Sequence, residues 1–281
     1  MKNIESSMMG LVCRRHGMKN SISLIKRLVL MRFQRLMMYK IGFWGPFLID
    51  GSLFIVQLLA FQAIYSQVDS IGEWSRGNMV VFIGSFSLIN AINMTIYFFG
   101  VNSIPEKIKT GELDLYLTKP ANVLLRLTFE QVNPGAAPLI FLSIGIVLYG
   151  CSLQGMKLTM GKVAAYAVAI LVMSVLYYVL EVIIRSTAFF FISADGATQL
   201  EDCGLELCMQ LPGTLFYGVY KMIFYMVLPY GIIATYPTLL LTDGLSAGML
   251  VHGVGVIVVF FAFMIILWRA GLRHYNGVNS Q

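Results

Sequence analysis

Six stretches of predominantly apolar residues, each close to the roughly 20 that a helix needs to cross a hydrocarbon layer, occupy most of this sequence. They run over 41–65, 78–100, 134–153, 163–184, 215–235 and 248–268. Inside a bilayer a chain must satisfy its own backbone N–H and C=O groups, and for segments of this length the helix is the form that does so. Of the 281 residues 58% are hydrophobic and 12% charged, too few polar side chains to cover a water-soluble fold. The sequence therefore predicts an all-α integral membrane protein with six transmembrane helices and no sizeable soluble domain. The start of the chain has no apolar core of the kind found in cleaved leaders, so the first apolar stretch is expected to remain as a membrane helix.

The basic residues assign an orientation, because connections rich in Lys and Arg stay cytoplasmic. Nine lie in 1–40, four in 101–133, one is Arg185 and two are Arg269 and Arg273, all on one side of a six-span topology. The other side receives Arg76, Lys157 and Lys162, while Lys221 falls inside the fifth stretch. Both termini are then cytoplasmic, with a basic segment at 1–40, a transmembrane domain at 41–268 containing the long connection 101–133, and a tail at 269–281. The same distribution explains the net charge of +6 without a nucleic-acid partner, since the positive residues lie beside the lipid bilayer rather than on a folded polar surface. Cys13, Cys151, Cys203 and Cys208 have neither zinc nor redox spacing and read as free thiols. His16, His252 and His274 have no metal spacing, and no nucleophile arrangement is visible, so neither catalytic residues nor metal ligands are expected.

Before the first span, 19–40 can form an amphipathic interface helix. Lys19, Ser23, Lys26, Arg27 and Gln34 fall on one side, opposite Leu24, Ile25, Leu28, Val29 and Leu36. Arg32 interrupts the apolar face, where its long stem can snorkel to the headgroups. Pro229 interrupts the fifth stretch and Pro237 follows it, so its outer end is expected to be broken or re-entrant.

The connection between the second and third spans reads VNSIPEKIKTGELDLYLTKPANVLLRL. Ser103 suits an N-cap, Pro105 a first turn and Gly111 a stop, which predicts a cytoplasmic helix of about two turns. Beyond it Glu112 and Asp114 alternate with Leu113, Leu115 and Leu117, presenting charge and leucines together until Pro120 ends the run. On pattern alone an ordinary cytoplasmic loop remains an open reading.

The run KIKTGELDLYLTKPANVLL, with the terminal FMIILWRAGLRHYNGVNS and the IGEWS of the first outer loop, resembles the type 2 ABC transporter permeases, the bacterial group encoded beside a separate ATPase. The chain departs from that pattern in its first eighteen residues and at its GVNSQ ending. The resemblance implies a six-helix permease of the bacterial inner membrane that exports substrate. It implies a second permease copy or a related permease as partner, and a cytoplasmic ABC ATPase subunit that carries the ATP and magnesium, with no cofactor in this chain. It also implies a coupling helix near 104–110, so the ATPase-coupling residues are expected to be Ile104, Pro105, Glu106, Lys107, Lys109, Gly111, Glu112 and Asp114.

Other signals are weaker. GMKLTMGKV has five residues between its glycines where a phosphate loop has four, and Val163 where Ser or Thr should bind magnesium, so no ATPase site is expected here. Polar residues at membrane depth are functional candidates because burying them in lipid is costly. Asp50 is the clearest, with Asn90 and Asn93 as further candidates for a translocation path; Asn90, Asn93 and Thr95 can also serve to pack helices. Glu181 and Arg185, four apart, are expected to pair. An ion-coupled secondary transporter using Asp50 is the alternative function, although it has no use for a docking element in 101–133. A membrane enzyme would need clustered ionisable groups, and the spans contain isolated ones.

Overall fold

The computed structural model describes residues 30–31, 40–118, 122–191, 195–242 and 244–275. The interface helix expected over 19–40 lies outside the described residues apart from Leu30, Met31 and Lys40. Helix α1 (Lys40–Ile64) leads into a small antiparallel ribbon, β1 (Ser70–Ile71) and β2 (Trp74–Ser75), made by the IGEWS run. Ser75 ends the ribbon and caps α2 (Arg76–Ile96), its hydroxyl accepting the Asn78 N–H at 3.3 Å. Four short helices follow: α3 (Phe98–Asn102), α4 (Ile104–Lys109), α5 (Asp114–Leu117) and α6 (Val123–Glu130). The long helices α7 (Ala137–Leu153) and α8 (Met160–Ser186) come next, then α9 (Asp195–Gln210). Three further short helices, α10 (Gly218–Met222), α11 (Tyr230–Ile233) and α12 (Thr235–Leu241), precede α13 (Ala247–His274).

Among the described residues five helical segments are long and apolar enough to cross a membrane; the first covers most of α1, and the others contain α2, α7, α8 and α13. α2 is central. Met79, Ile83 and Ile89 are fully buried along it, and it meets α7 at Gly84 and Gly150. A Cβ on either glycine would lie 2.8 Å from a backbone nitrogen of the facing helix, that of Val147 or Val81. Small residues allow this approach, and close packing matters because lipid supplies no hydrophobic force between helices. α1 and α13 instead turn apolar side chains outward, with Leu48 65% exposed and Val251 75% exposed. A surface of this kind is matched to hydrocarbon rather than water.

The fifth apolar stretch is interrupted at Pro229, as expected. α10 continues into a π turn at Ile223–Val227, and the chain breaks at Leu228 and Pro229 before α11 and α12, bending by 78°. Both ends of this pair point to the end of the bundle that carries the β-ribbon. On one side Trp74 Nε1 donates to Thr214 Oγ1 at 2.8 Å, and on the other Leu241 shares an apolar groove with Cys151 and Leu158. The tip instead reaches inward, where Tyr230 packs edge-on against Tyr177 at 5.9 Å. The pair is therefore re-entrant, and Lys221 sits on its exposed first arm.

The polar helix α9 joins the two ends of the bundle. Its first turns lie beside the end of α8, Thr198 accepting from Arg185 at 3.0 Å, and near its close the Met209 carbonyl accepts from Gln57 of α1 at 2.9 Å. Sixteen residues at 1.5 Å each give it a length of about 24 Å. Hydropathy misses this helix because Asp195, Glu201, Asp202 and Glu206 lie along it.

Candidate functional site

The described residues of the 101–133 connection form a compact, two-sided element. Pro105 stands in the first turn of α4, where a missing N–H does no harm. Gly111, at φ +75°, takes the left-handed conformation that stops the helix, and the Leu113 N–H returns to the Lys107 carbonyl at 3.1 Å. Ser103 does not cap α4. The chain is already helical there, and its hydroxyl donates back to the Gly100 carbonyl at 2.7 Å.

One side of this element is fixed to the bundle. Ile104, Leu113 and Tyr116 are buried in a cluster with Val179 and Val182 of α8 and Met264 and Trp268 of α13. The other side is open: Glu106, Lys109, Thr110 and Glu112 are exposed, and so are Leu115 at 64% and Leu117 at 42%. Pro105, Gly111 and Asp114 are half-buried between the two sides.

Lys107 is not on the open face. It is buried and donates from Nζ to the Tyr116 hydroxyl at 2.7 Å and to Glu130 Oε2 at 3.3 Å. The Tyr116 hydroxyl donates in turn to the same Glu130 oxygen at 2.6 Å, and the Arg126 guanidinium stands 4.6 Å from the Tyr116 ring centroid. Burial, then the hydrogen bond to Glu130 and its charge, push the Tyr116 phenol well above its ordinary range, so it remains a donor. This clasp ties α4, α5 and α6 together behind the exposed face. Sequence reading placed Lys107 in the docking set because helical spacing leaves its side undetermined. Tyr116, Arg126 and Glu130 were missed because their partners are local neighbours only after the loop folds back.

The membrane-depth candidates separate. Asp50 and Asn90 are half-buried. Asn93 is fully buried, and its amide donates to Glu181 Oε1 at 2.9 Å, joining α2 to α8; Thr95 bonds back within its own helix to Ala91. The expected Glu181–Arg185 pair does not form as a salt bridge. Arg185 turns to α9 and meets Glu201 at 2.6 Å, because a buried guanidinium needs several acceptors and Thr198, Asn102 and Glu201 supply them together.

A family model described as ABC-2 family transporter protein matches residues 52–278, which include the whole two-sided element and all five long apolar helices bar the start of α1. The chain belongs to the ABC-2 transporter family. No curated protein and no solved structure matches it. As an ABC-2 protein it is a multi-pass membrane transport component, and the family works in general with an ABC ATPase. Membership does not favour the ion-coupled alternative.

Proposed function

We propose that this chain is the membrane-spanning permease subunit of an ATP-driven exporter of the bacterial inner membrane, with ATP and magnesium held on a separate cytoplasmic ATPase. The observation that carries the reading is the two-sided 101–133 element, whose charged and leucine-bearing face is open while its back is fixed to α8 and α13. Work from a closing ATPase reaches a permease only through a stiff contact, and a clasped element meets that need. Glu106, Lys109, Glu112 and Asp114, with Leu115 and Leu117, form the docking face; Ile104 and Lys107 hold it from behind.

In this reading the basic end is cytoplasmic, both termini lie there, and α9 is the fifth of six crossings. Asp202 and Glu206 of α9 are exposed on the side away from the rest of the chain. Carboxylates at that depth are not left facing hydrocarbon, so a second permease covers this side across a wet path, to which Asp50 and Asn90 also contribute. Replacing Glu112 and Asp114 together with alanine tests the docking role. The variant is expected to insert normally while ATP hydrolysis runs without export; export coupled at the wild-type level would refute the assignment.

A further inference from the structure

A line of polar bonds, buried from Arg185 onward, runs from the docking element to the re-entrant pair. Asn102, the last residue of α3 and two residues before α4, accepts from Arg185 Nε at 3.0 Å. Arg185 Nη1 donates to Glu201 Oε2 of α9 at 2.6 Å, and the other Glu201 oxygen accepts from the Tyr230 hydroxyl of α11 at 2.7 Å. The side chains of Arg185 and Glu201 are only 5% and 3% exposed, and Tyr230 is 1% exposed. Glu201 thus spends one oxygen on α8 and one on the re-entrant tip.

We propose that Asn102, Arg185, Glu201 and Tyr230 act as positioning residues that pass displacement of the 104–110 segment to the re-entrant pair, so that ATPase closure moves the ribbon-side mouth of the permease. The inference rests on the docking role assigned above. Three physical features support transmission. The bonds are charge-assisted, and the two made by Glu201 are buried, so those two resist stretching more than exposed bonds do. They join four separate elements without a gap. The receiving element has an exposed part that can respond: α10, at the start of the pair, buries no residue, while Phe224, Tyr225 and the whole of α11 are packed in the core, so a shift of the packed tip at Tyr230 carries the exposed arm with it. A merely structural network would hold α8, α9 and α11 together but would not make the exposed arm respond to nucleotide.

Two cuts isolate the line. Tyr230→Phe removes one hydroxyl and leaves the Arg185–Glu201 pair whole, whereas Asn102→Ala cuts the other end at an exposed position and serves if the first variant folds poorly. The reporter is Tyr220→Cys on the exposed arm, in a background with Cys13 and Cys203 changed to serine. The tagged complex, purified with its ATPase and placed in nanodiscs, is labelled with a charged maleimide with and without ATP and vanadate. Without the cuts, the labelling rate at position 220 is expected to change on trapping; with either cut that difference is expected to vanish while ATP hydrolysis continues. An unaltered difference in both cut variants overturns the proposal, as does the absence of any nucleotide effect before cutting. Failure to recover an ATPase refutes the docking role and takes this inference with it, whereas a working ATPase beside an unresponsive arm refutes the line alone.

Discussion

Glu130→Ala should loosen the docking element without unfolding the bundle, and the size of the effect follows from the clasp. The Lys107 side chain is 8% exposed and Glu130 is 30% exposed, so removing the carboxylate strands a buried ammonium whose remaining side-chain bond is to Tyr116. Stranding one member of a fully buried pair costs about 3–5 kcal/mol. Glu130 is partly wet, which lets water relieve the ammonium, and roughly 2 kcal/mol is the appropriate figure for a hydrogen bond to a charged group. At 1.4 kcal/mol per tenfold, that is an increase of about 30-fold in local opening. Hydrogen exchange of the purified chain reads it directly, since the Leu113 N–H bonds the Lys107 carbonyl and the Tyr116 N–H bonds the Leu113 carbonyl. Those amides should exchange about 30-fold faster while amides within α13 stay unchanged. Adding Lys107→Met should recover much of the loss, because the stranded charge is then gone. Unchanged exchange at Leu113 and Tyr116 in the Glu130 variant, or simple additivity in the double variant, would refute the clasp.

Other consequences can be checked separately. Gly84→Leu or Gly150→Leu places a side chain where a Cβ already meets backbone at 2.8 Å, and should lower stability by about 1–3 kcal/mol, read as a drop in the thermal aggregation temperature in detergent. A wild-type transition in both variants would deny the close α2–α7 approach. Under native conditions a charged maleimide should modify the exposed Cys203 and leave the buried Cys151 and Cys208 unmodified; equal reaction of all three would contradict the placement of α9. Raising pH should leave the clasp intact until above the ordinary tyrosine range. The folded Tyr116 phenol titrates above its unfolded value, so its contribution is full below the unfolded value and fades as pH rises through the folded one. Alkaline exchange of the Leu113 amide, compared between wild type and Tyr116→Phe, reads this, and clasp loss near neutral pH would be contrary.

The five long apolar helices were legible because lipid imposes one simple requirement, length with apolarity, and residues such as those around Val163 and Val258 meet it without ambiguity. The α9 helix was not: it is polar, and hydropathy passed over it in favour of the apolar 215–235 stretch, where Pro229 signalled the interruption and left a broken span and a re-entrant pair both open. At the docking element, Pro105 and Gly111 set the helix limits correctly, since both act through their own backbones. The side on which Lys107 lies, and the choice of Glu201 over Glu181 by Arg185, depend on which helices become neighbours. No local spacing encodes that.

The most direct test of the central claim is to purify the tagged chain from gently solubilised native membranes and identify what accompanies it by mass spectrometry. The account predicts a cytoplasmic ATP-binding-cassette subunit, in an amount comparable to the permease. Repeated recovery of the chain without any ATPase, from membranes in which it is folded, would contradict it.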